Sequence, residues 1–457
     1  MEKIKRLKKL FINQKIDGYI IPKNDEFFGE YTPKFNDRLN YVTNFTGSYG
    51  FSLILKNKNY LFVDGRYTLQ ANKECGKIFR INTFPKNMPF NILKNKRLLI
   101  GFDPKLLTRK TLNIFFKSNK CKFIPINENL VDTIWKRKKK YKKKKFYILP
   151  DNYVGQHYLK KINKIVKNLN RRKADYQFIS ASENNAWLLN IRGGDANYTP
   201  LPYSYVLIDK NENVRLFCDL DKITTSLKKK IKKIDFHDIN TTHEVLSKIK
   251  NKKFILDNNT CSIFFENIIK KNNKVINYYD PIYFYKSIKA RKEIDNIKQA
   301  HIYDGIALTK YLLWLKKNFN RKNINELTAS NKLFNFRKKN NKFKFSSFPT
   351  ISSSGPNGAI IHYQPTNKTK RKLKNGDIYL VDSGGQYEFG TTDVTRTISL
   401  KNSNKRIKNI FTRVLKGHIA IANSKLKSNT SGSQLDFKAR KYLREIGLDY
   451  AHGTGHG

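Results

Sequence analysis

The chain has 457 residues, a length that predicts about three domains rather than one core. Its 91 Lys and Arg against 36 Asp and Glu give a formal net charge of +55, which would ordinarily favour a nucleic acid or an anionic membrane as partner. The lysines are spread over the whole sequence among many Asn, Ile, Phe and Tyr, residues that share A/T-rich codons, and this distribution argues against a dedicated nucleic-acid surface.

The first unit, residues 1–145, alternates helical and strand patterns, as α/β domains do. A first helix places Leu7, Leu10 and Phe11 on one buried face, and strands are predicted at residues 18–21, 51–55 and 60–63. The unit ends in a basic run over residues 136–145 that only Tyr141 interrupts. Like charges repel and resist burial, so we predict a solvated linker there.

A second unit of similar style covers residues 146–286. It contains a predicted helix over 159–169 and predicted strands at 205–208, 214–218 and 254–256. Two consecutive α/β units of comparable length suggest a duplicated fold, although the sequence shows no direct repeat.

The third unit, residues 287–457, opens with the longest helical pattern, over 287–319. A second helix is predicted over 324–336, and strands, glycines and β-branched residues follow it. The core-facing stripe of the long helix consists of Ile294, Ile297, Leu308, Leu312 and Leu315.

Cysteine usage and hydropathy indicate the compartment. Cys75, Cys121, Cys218 and Cys261 have no paired spacing, which argues against both a disulfide framework and a Cys-x-x-Cys metal site. No apolar run approaches the length of about 20 residues that spans a bilayer, and the basic start lacks the apolar segment of a signal peptide. We therefore expect a soluble protein of the reducing cytoplasm.

Two aspartates in the third unit are candidate metal ligands. Asp382 ends a predicted strand on the same side as Ile378 and Leu380, so its carboxylate is predicted to face inward. Residues 383–386 and Gly390 are predicted to form a turn, after which a β-branched strand over 393–398 brings Asp393 close to Asp382. Two adjacent carboxylates repel unless one is protonated or a cation binds both. The alternative is that both are ordinary turn or surface residues.

His452 and His456 are four residues apart, as in the zinc-binding His-Glu-x-x-His helix. Gly453, Thr454 and Gly455 lie between them, however, and remove both the catalytic glutamate and the helix propensity. The glycines instead allow the backbone to approach a metal or substrate, with one imidazole as ligand. A purely structural histidine is the alternative.

Four segments of the third unit, in this order and spacing, resemble aminopeptidase P, the Xaa-Pro aminopeptidases of the pita-bread metallopeptidase superfamily. They are Ser-Gly-Pro-Asn-Gly-Ala-Ile-Ile-His-Tyr at 354–363, Val-Asp-Ser-Gly at 381–384, Thr-Thr-Asp-Val-Thr-Arg-Thr at 391–397 and His-Gly-Thr-Gly-His-Gly at 452–457. Residues 35–39, 45–48 and 63–67 resemble the family's first domain, and residues 187–193 resemble its second.

The resemblance implies an α/β and α+β architecture, in which two creatinase-type N-terminal α/β domains precede a pita-bread catalytic domain. The implied activity is hydrolysis of the N-terminal Xaa-Pro bond, on peptides with proline in the second position, by a water that two divalent metals activate. Mn(II) is the expected metal and Zn(II) the alternative. A homodimer formed through the N-terminal domains is also implied.

Site roles carry over residue by residue. Asp382 would bind one metal through both oxygens, Asp393 would bridge the pair, and His456 would bind the other metal. His362 and His452 would be catalytic, steadying substrate and tetrahedral intermediate by hydrogen bonds. For His362 the alternative is a structural turn histidine.

The family completes this site with two glutamates and a further histidine that follow the His-Gly-Thr-Gly-His-Gly segment, whereas the sequence as given ends at Gly457. We therefore expect a C-terminally incomplete pita-bread domain, and a 457-residue polypeptide that is weakly active or inactive. The alternative enzymes are a prolidase or a creatinase. A non-catalytic pita-bread protein that binds nucleic acid is the alternative from another class, and the retention of Asp382, Asp393 and His456 argues against it.

Overall fold

A computed structural model describes residues 1–118, 120–137, 144–321 and 324–456. Most of the predicted basic linker, residues 138–143, lies outside the described residues, so its solvated character stays a prediction. Its two described ends are tied to the folded units. Arg137 forms an ion pair with Asp132, and Lys145 Nζ donates to the carbonyl oxygen of Asp221 at 2.6 Å.

The first unit is built on a six-stranded sheet in the order β4-β3-β2-β1-β5-β6. Its strands are β1 (Gly18–Pro22), β2 (Phe51–Leu55), β3 (Asn59–Val63), β4 (Arg80–Thr83), β5 (Leu99–Phe102) and β6 (Lys122–Pro125). Its helices are α1 (Glu2–Asn13), α2 (Arg38–Thr43), α3 (Thr68–Cys75), α4 (Pro89–Leu93), α5 (Arg109–Phe116) and α6 (Leu130–Ile134).

Apolar periodicity explains how this sheet is covered. Every residue of β1 and β2 is buried, as expected for strands with helices on both faces. On α1, Ile4, Leu7 and Phe11 recur at helical spacing and are buried, while Leu10 lies at the margin of the same cluster. The predicted buried face of the first helix is therefore confirmed.

The second unit is also built on a six-stranded sheet, in the order β12-β11-β10-β8-β13-β14, and a separate two-stranded pair joins β7 to β9. Its strands are β7 (Tyr147–Ile148), β8 (Tyr176–Ile179), β9 (Ile191–Arg192), β10 (Ser204–Asp209), β11 (Val214–Cys218), β12 (Ile234–Asp238), β13 (Lys253–Leu256) and β14 (Lys274–Asn277). Its helices are α7 (Tyr158–Arg171), α8 (Ser182–Leu188), α9 (Thr225–Lys230), α10 (Thr242–Lys248), α11 (Ile263–Asn272) and α12 (Pro281–Ser287).

The two sheets have the same topology. In each sheet, the strand that comes first along the chain is central. It pairs antiparallel with the second strand and parallel with the fifth, and the pair of strands at each edge of the sheet is parallel. This shared strand order supports the duplicated fold that the similar style and length of the two units suggested. Strand order depends on long-range pairing and can persist when residue identities do not, which is why no direct repeat is visible in the sequence.

The third unit contains α13 (Arg291–Asn318), α14 (Glu326–Lys338), α15 (Lys405–Ala422) and α16 (Gly432–Arg444). Its strands form one pair, β15-β18, and one three-stranded sheet, β16-β17-β19. They are β15 (Phe343–Ser346), β16 (Ile351–Ser354), β17 (Ile378–Ser383), β18 (Gly385–Tyr387) and β19 (Val394–Ser399). The long helix begins later than the predicted residue 287, because α12 ends there and Ala290 is extended as the N-cap of α13.

The predicted orientation of the Asp382 strand is wrong in one respect. Burial along β17 does alternate, but the fully buried face carries Tyr379, Val381 and Ser383, and Asp382 belongs to the half-buried face. Alternation identifies the residues that share a face without deciding which face meets the core. Asp382 therefore points away from the third unit's main apolar cluster.

The predicted turn after Asp382 is also only partly a turn. Residues of that segment form β18, which pairs antiparallel with β15. The chain thus enters a second small sheet before it returns as β19. Across the described ranges, no helix has the length and apolarity needed to span a membrane.

Candidate active site

Asp382 on β17 and Asp393, just before the neighbouring antiparallel strand β19, are close enough for their charges to interact. In the register of β17 and β19, Asp382 pairs with Thr395, and Asp393 directly precedes β19. Burial raises the pKa of Asp382 to about 6, a hydrogen bond from Thr395 opposes this rise, and the charge of Asp393 adds to it. The hairpin therefore brings the two carboxylates close together, as the sequence predicts.

His456 extends this pair. Its Nε2 lies 3.5 Å from Oδ2 of Asp393, and the two side chains are 80% and 46% exposed. The charge of His456 also lowers the pKa of Asp382, so all three predicted ligands lie within electrostatic reach of one another. Asp382 is the shielded member, and the other two are open to solvent.

These three residues have the chemistry of a partial metal site. Oδ1 of Asp382 is buried and has no hydrogen-bond partner among the described residues, a costly state that a cation would relieve. Carboxylate oxygens with one imidazole suit Mn(II) or Zn(II). Among the described residues, however, no three His, Cys, Asp or Glu side chains converge tightly enough to hold an ion by themselves. The residues fit a divalent cation as part of a ligand set.

His362 lies in the connection between β16 and β17, and a residue of the first unit contacts it. Tyr67 Oη is 2.6 Å from His362 Nδ1, across 295 positions of sequence. Burial lowers the pKa of His362, as do the nearby charges of Arg66 and His452, whereas Asp64 opposes this. The imidazole is therefore neutral near pH 7. No sequence pattern gives Tyr67 a role in the site, although it belongs to the segment 63–67 that resembles the family's first domain.

The loop that carries His362 is anchored on Glu326, the first residue of α14. The Glu326 side chain is fully buried, and it accepts hydrogen bonds from groups at the start, middle and end of the loop. The donors are Ser354 N at 2.7 Å, Asn357 Nδ2 at 3.0 Å, Tyr363 Oη at 2.8 Å and Arg371 N at 2.8 Å. A glutamate in the first turn of a helix is usually an exposed partner of the helix dipole, so nothing in the sequence pointed to this role.

His452 is held by its own segment. Its Nδ1 donates to the carbonyl oxygen of Gly453 at 2.7 Å, and its ring stacks on Tyr450 with centroids 4.6 Å apart. Arg440 donates to the carbonyl oxygens of Tyr450 and His452 at 2.5 and 2.6 Å. These contacts fix the main chain just before the glycine-rich segment that ends in His456.

All three units reach this region. Burial raises the pKa of Tyr31 in the first unit, and the charges of Glu30 and Asp382 raise it further. Tyr31 meets Tyr198 of the second unit edge to face at 5.3 Å, and Gln386 of the third unit donates to the Tyr198 carbonyl at 3.0 Å. The candidate site is therefore an interface of three units around the β17–β19 hairpin.

Family models match nearly the whole chain. The Creatinase/Prolidase N-terminal domain matches residues 3–134 and, through a second model, residues 137–293, and Metallopeptidase family M24 matches residues 295–457. Fold and site together thus define a metallopeptidase with two creatinase-type N-terminal domains, and the predicted fold class is confirmed. The boundaries we placed at residues 145 and 286 remain predictions.

Individual relatives identify the family within this class of metallopeptidases. A probable Xaa-Pro aminopeptidase P of Laccaria bicolor is 33% identical over 474 residues, which cover 100% of this chain and 73% of the relative. Xaa-Pro aminopeptidase 1 of Dictyostelium discoideum is 34% identical over 482 residues, which cover 100% of this chain and 76% of the relative. The chain belongs to the Xaa-Pro aminopeptidase P family, as its motifs predicted.

A solved structure agrees with this assignment. The X-prolyl aminopeptidase of Caenorhabditis elegans, described as a cytosolic enzyme with a di-nuclear active site, superposes with a TM-score of 0.91 at 28% identity. The match covers 100% of this chain and 79% of that one. The arrangement of the three units is therefore that of a known member of the family.

Proposed function

We propose that this protein is an Xaa-Pro aminopeptidase that hydrolyses the bond between an N-terminal residue and a proline in the second position. The observation that carries the proposal is the buried Oδ1 of Asp382, which has no hydrogen-bond partner in the part of the chain that the structure describes and lies near Asp393 and His456, in a chain of this family. This carboxylate has the environment of a cation ligand rather than that of a surface or turn residue.

Asp382, Asp393 and His456 are the proposed metal ligands, for two divalent ions with Mn(II) ahead of Zn(II). When bound, such ions polarise the scissile carbonyl and acidify a water molecule. Asp382 supplies the shielded carboxylate, and Asp393, whose charge acts on Asp382, lies 3.5 Å from the His456 imidazole.

His362 and His452 are the proposed catalytic histidines. Tyr67 occupies Nδ1 of His362, and the Gly453 carbonyl occupies Nδ1 of His452. Each ring therefore has Nε2 left for substrate. Nε2 of His362 can donate a hydrogen bond that steadies the developing negative charge, whereas Nε2 of a neutral His452, whose proton is on Nδ1, can accept a hydrogen bond from the substrate. Both rings are half-buried, which excludes part of the bulk water that would compete for the same hydrogen bonds.

Cellular location and assembly form part of the proposal. Four free, buried cysteines suit a reducing compartment, and the Caenorhabditis elegans relative is described as cytosolic, so we place the protein in the cytoplasm. We also propose a homodimer, by analogy with the family. Light scattering after size-exclusion chromatography measures the oligomeric state.

The deciding experiment combines metal titration with a peptide assay. Purified protein is titrated with Mn(II) by calorimetry and then given Arg-Pro-Pro and its matched control Arg-Ala-Pro. The same assay is run on the longest polypeptide that the gene encodes, because the match covers 73% of the Laccaria bicolor relative. Cleavage of the Arg-Pro bond alone supports the proposal. Equal cleavage of both peptides, or none by either polypeptide with metal bound, contradicts it.

Two further assays separate the alternatives. A prolidase would cleave the dipeptide Arg-Pro faster than the tripeptide. A nucleic-acid-binding protein would shift labelled RNA or DNA in a gel, with affinity that falls steeply between low and moderate salt. We expect neither result.

A further inference from the structure

The turn between β3 and α3 connects the first unit to both histidine-bearing segments of the third. Tyr67, at its end, reaches His362 Nδ1. Gly65, within it, lies against Ala451, where a Cβ atom would collide with the carbonyl oxygen that immediately precedes His452. This one short turn therefore contacts the ring of His362 and the main chain beside His452, the two proposed catalytic histidines.

Tyr67 is itself rigidly held. Its side chain is fully buried, and its ring meets Phe45 edge to face at 5.7 Å. Its Oη lies 2.7 Å from Ser48 Oγ, and the Ser48 main chain hydrogen-bonds the same oxygen. Burial raises the pKa of Tyr67, which keeps its proton on the oxygen at neutral pH. A phenol fixed in this way can orient the group that it contacts.

We propose that Tyr67 is a positioning residue that donates its hydroxyl proton to Nδ1 of His362 and thereby holds this ring as the Nε2–H tautomer. The phenolic oxygen has one proton and two acceptor positions. The Ser48 main chain donates to one of these positions, and in this proposal the Ser48 hydroxyl donates to the other, which directs the phenolic proton to His362. The neutral ring must then carry its own proton on Nε2, the nitrogen left for substrate.

The consequence is that the first unit acts on catalysis through the ring of His362. A histidine presented as an Nε2–H donor can stabilise developing negative charge, whereas the opposite tautomer would present a lone pair and repel it. The inference rests on the proposed role of His362 in catalysis. The tautomer itself is a property of the protein without substrate.

The test reads the tautomer directly. Protein labelled with 15N-histidine is studied by long-range 1H–15N correlation at neutral pH without metal, and the ring of His362, one of eight histidines, is assigned by its loss in His362→Gln. We expect a protonated Nε2 and a hydrogen-bonded, unprotonated Nδ1 in the wild-type spectrum. A protonated Nδ1 would overturn the proposal, whether or not the protein is an active peptidase.

Tyr67→Phe provides the second reading. Loss of the hydroxyl should give a mixture of both neutral tautomers and lower kcat/KM on Arg-Pro-Pro by about 10-fold, a loss of the size seen when the partner that orients a metal-binding histidine is removed. Tyr205→Phe is the matched control, since it removes another buried hydroxyl that joins two units, through the Glu26 carbonyl at 3.3 Å. It should leave the His362 signal unchanged. An unchanged tautomer in Tyr67→Phe would refute the proposal, and the wild-type spectrum still decides if that variant fails to fold.

Discussion

Arg337 on α14 and Asp304 on α13 form a two-pronged ion pair, with Nε–Oδ1 at 2.7 Å and a second N–O contact at 2.8 Å. Both side chains are almost wholly buried. Arg337 also donates to Ser383 Oγ at 3.1 Å, one residue after Asp382. The pair therefore joins both helices to the end of the strand that carries the shielded carboxylate.

Arg337→Met should destabilise the third unit by ~3–5 kcal/mol, because it leaves Asp304 buried without its countercharge. Urea unfolding and hydrogen exchange along β17 measure the effect. Adding Asp304→Leu should restore much of the loss, since a buried pair replaced by apolar residues is often neutral. A single variant that loses less than about 1 kcal/mol would contradict this account, as would a double variant no better than the single one.

Glu326→Gln should loosen the loop that carries His362. A neutral amide cannot accept the same four donors, and its NH2 group would face a backbone amide, that of Ser354 or that of Arg371, so we expect a cost of ~1–3 kcal/mol for the unsatisfied groups. The measurement is hydrogen exchange and limited proteolysis over residues 355–371. Glu388→Gln is the control, because Glu388 forms its ion pairs with Lys342 and Lys344 outside this loop. Equal protection of the loop in both variants would refute the anchor.

Asp280 should make the second unit less stable as the pH rises from about 4 to 6. Burial raises its pKa to about 6 in the folded protein, despite hydrogen bonds from Ile282 N, Asn184 and Gln177. Because the folded state binds the proton more tightly, the stability is fully present below the unfolded pKa and is lost as pH rises through the folded one.

The change attributable to Asp280 is at most ~3 kcal/mol, from about 1.4 kcal/mol for each pKa unit. The Asp280→Asn protein should be less stable than the wild type at low pH, where the amide replaces a protonated acid. Its free energy of unfolding should also change less with pH between pH 4 and 6. Denaturant midpoints measured at several pH values give that slope. A variant whose slope equals that of the wild type would assign the pH dependence to other groups.

Asp382→Asn should weaken Mn(II) binding more than about 10-fold, or ~1.4 kcal/mol, because the shielded ligand loses its charge. Calorimetric titration at fixed pH measures the affinity. Asp295→Asn serves as the control, since Asp295 lies in an exposed pair with Arg291 on α13. Equal affinity in the two variants would remove Asp382 from the ligand set.

Local patterns in the sequence determined much of the fold. Alternating and helical spacing predicted strands at 51–55 and 214–218 that coincide with β2 and β11, and it predicted α14 to within two residues at each end. The spacing of Asp382 and Asp393 around glycines predicted their hairpin. The motifs also identified the family, because residues that bind metal or substrate are tied to a specific backbone geometry wherever the fold recurs.

Only the tertiary structure decided the rest. The alternation of side chains along β17 does not show which face of the strand meets the core. The core face is set by α13 and α14, which pack against Tyr379 and Val381. The Tyr67–His362 contact joins residues 295 positions apart, and Glu326 is buried only because the loop folds over it. The first contact arises where two units pack together, and the second where distant segments of one unit do. The short-range periodicity of a sequence records the faces of each element, not the partner that each face will meet.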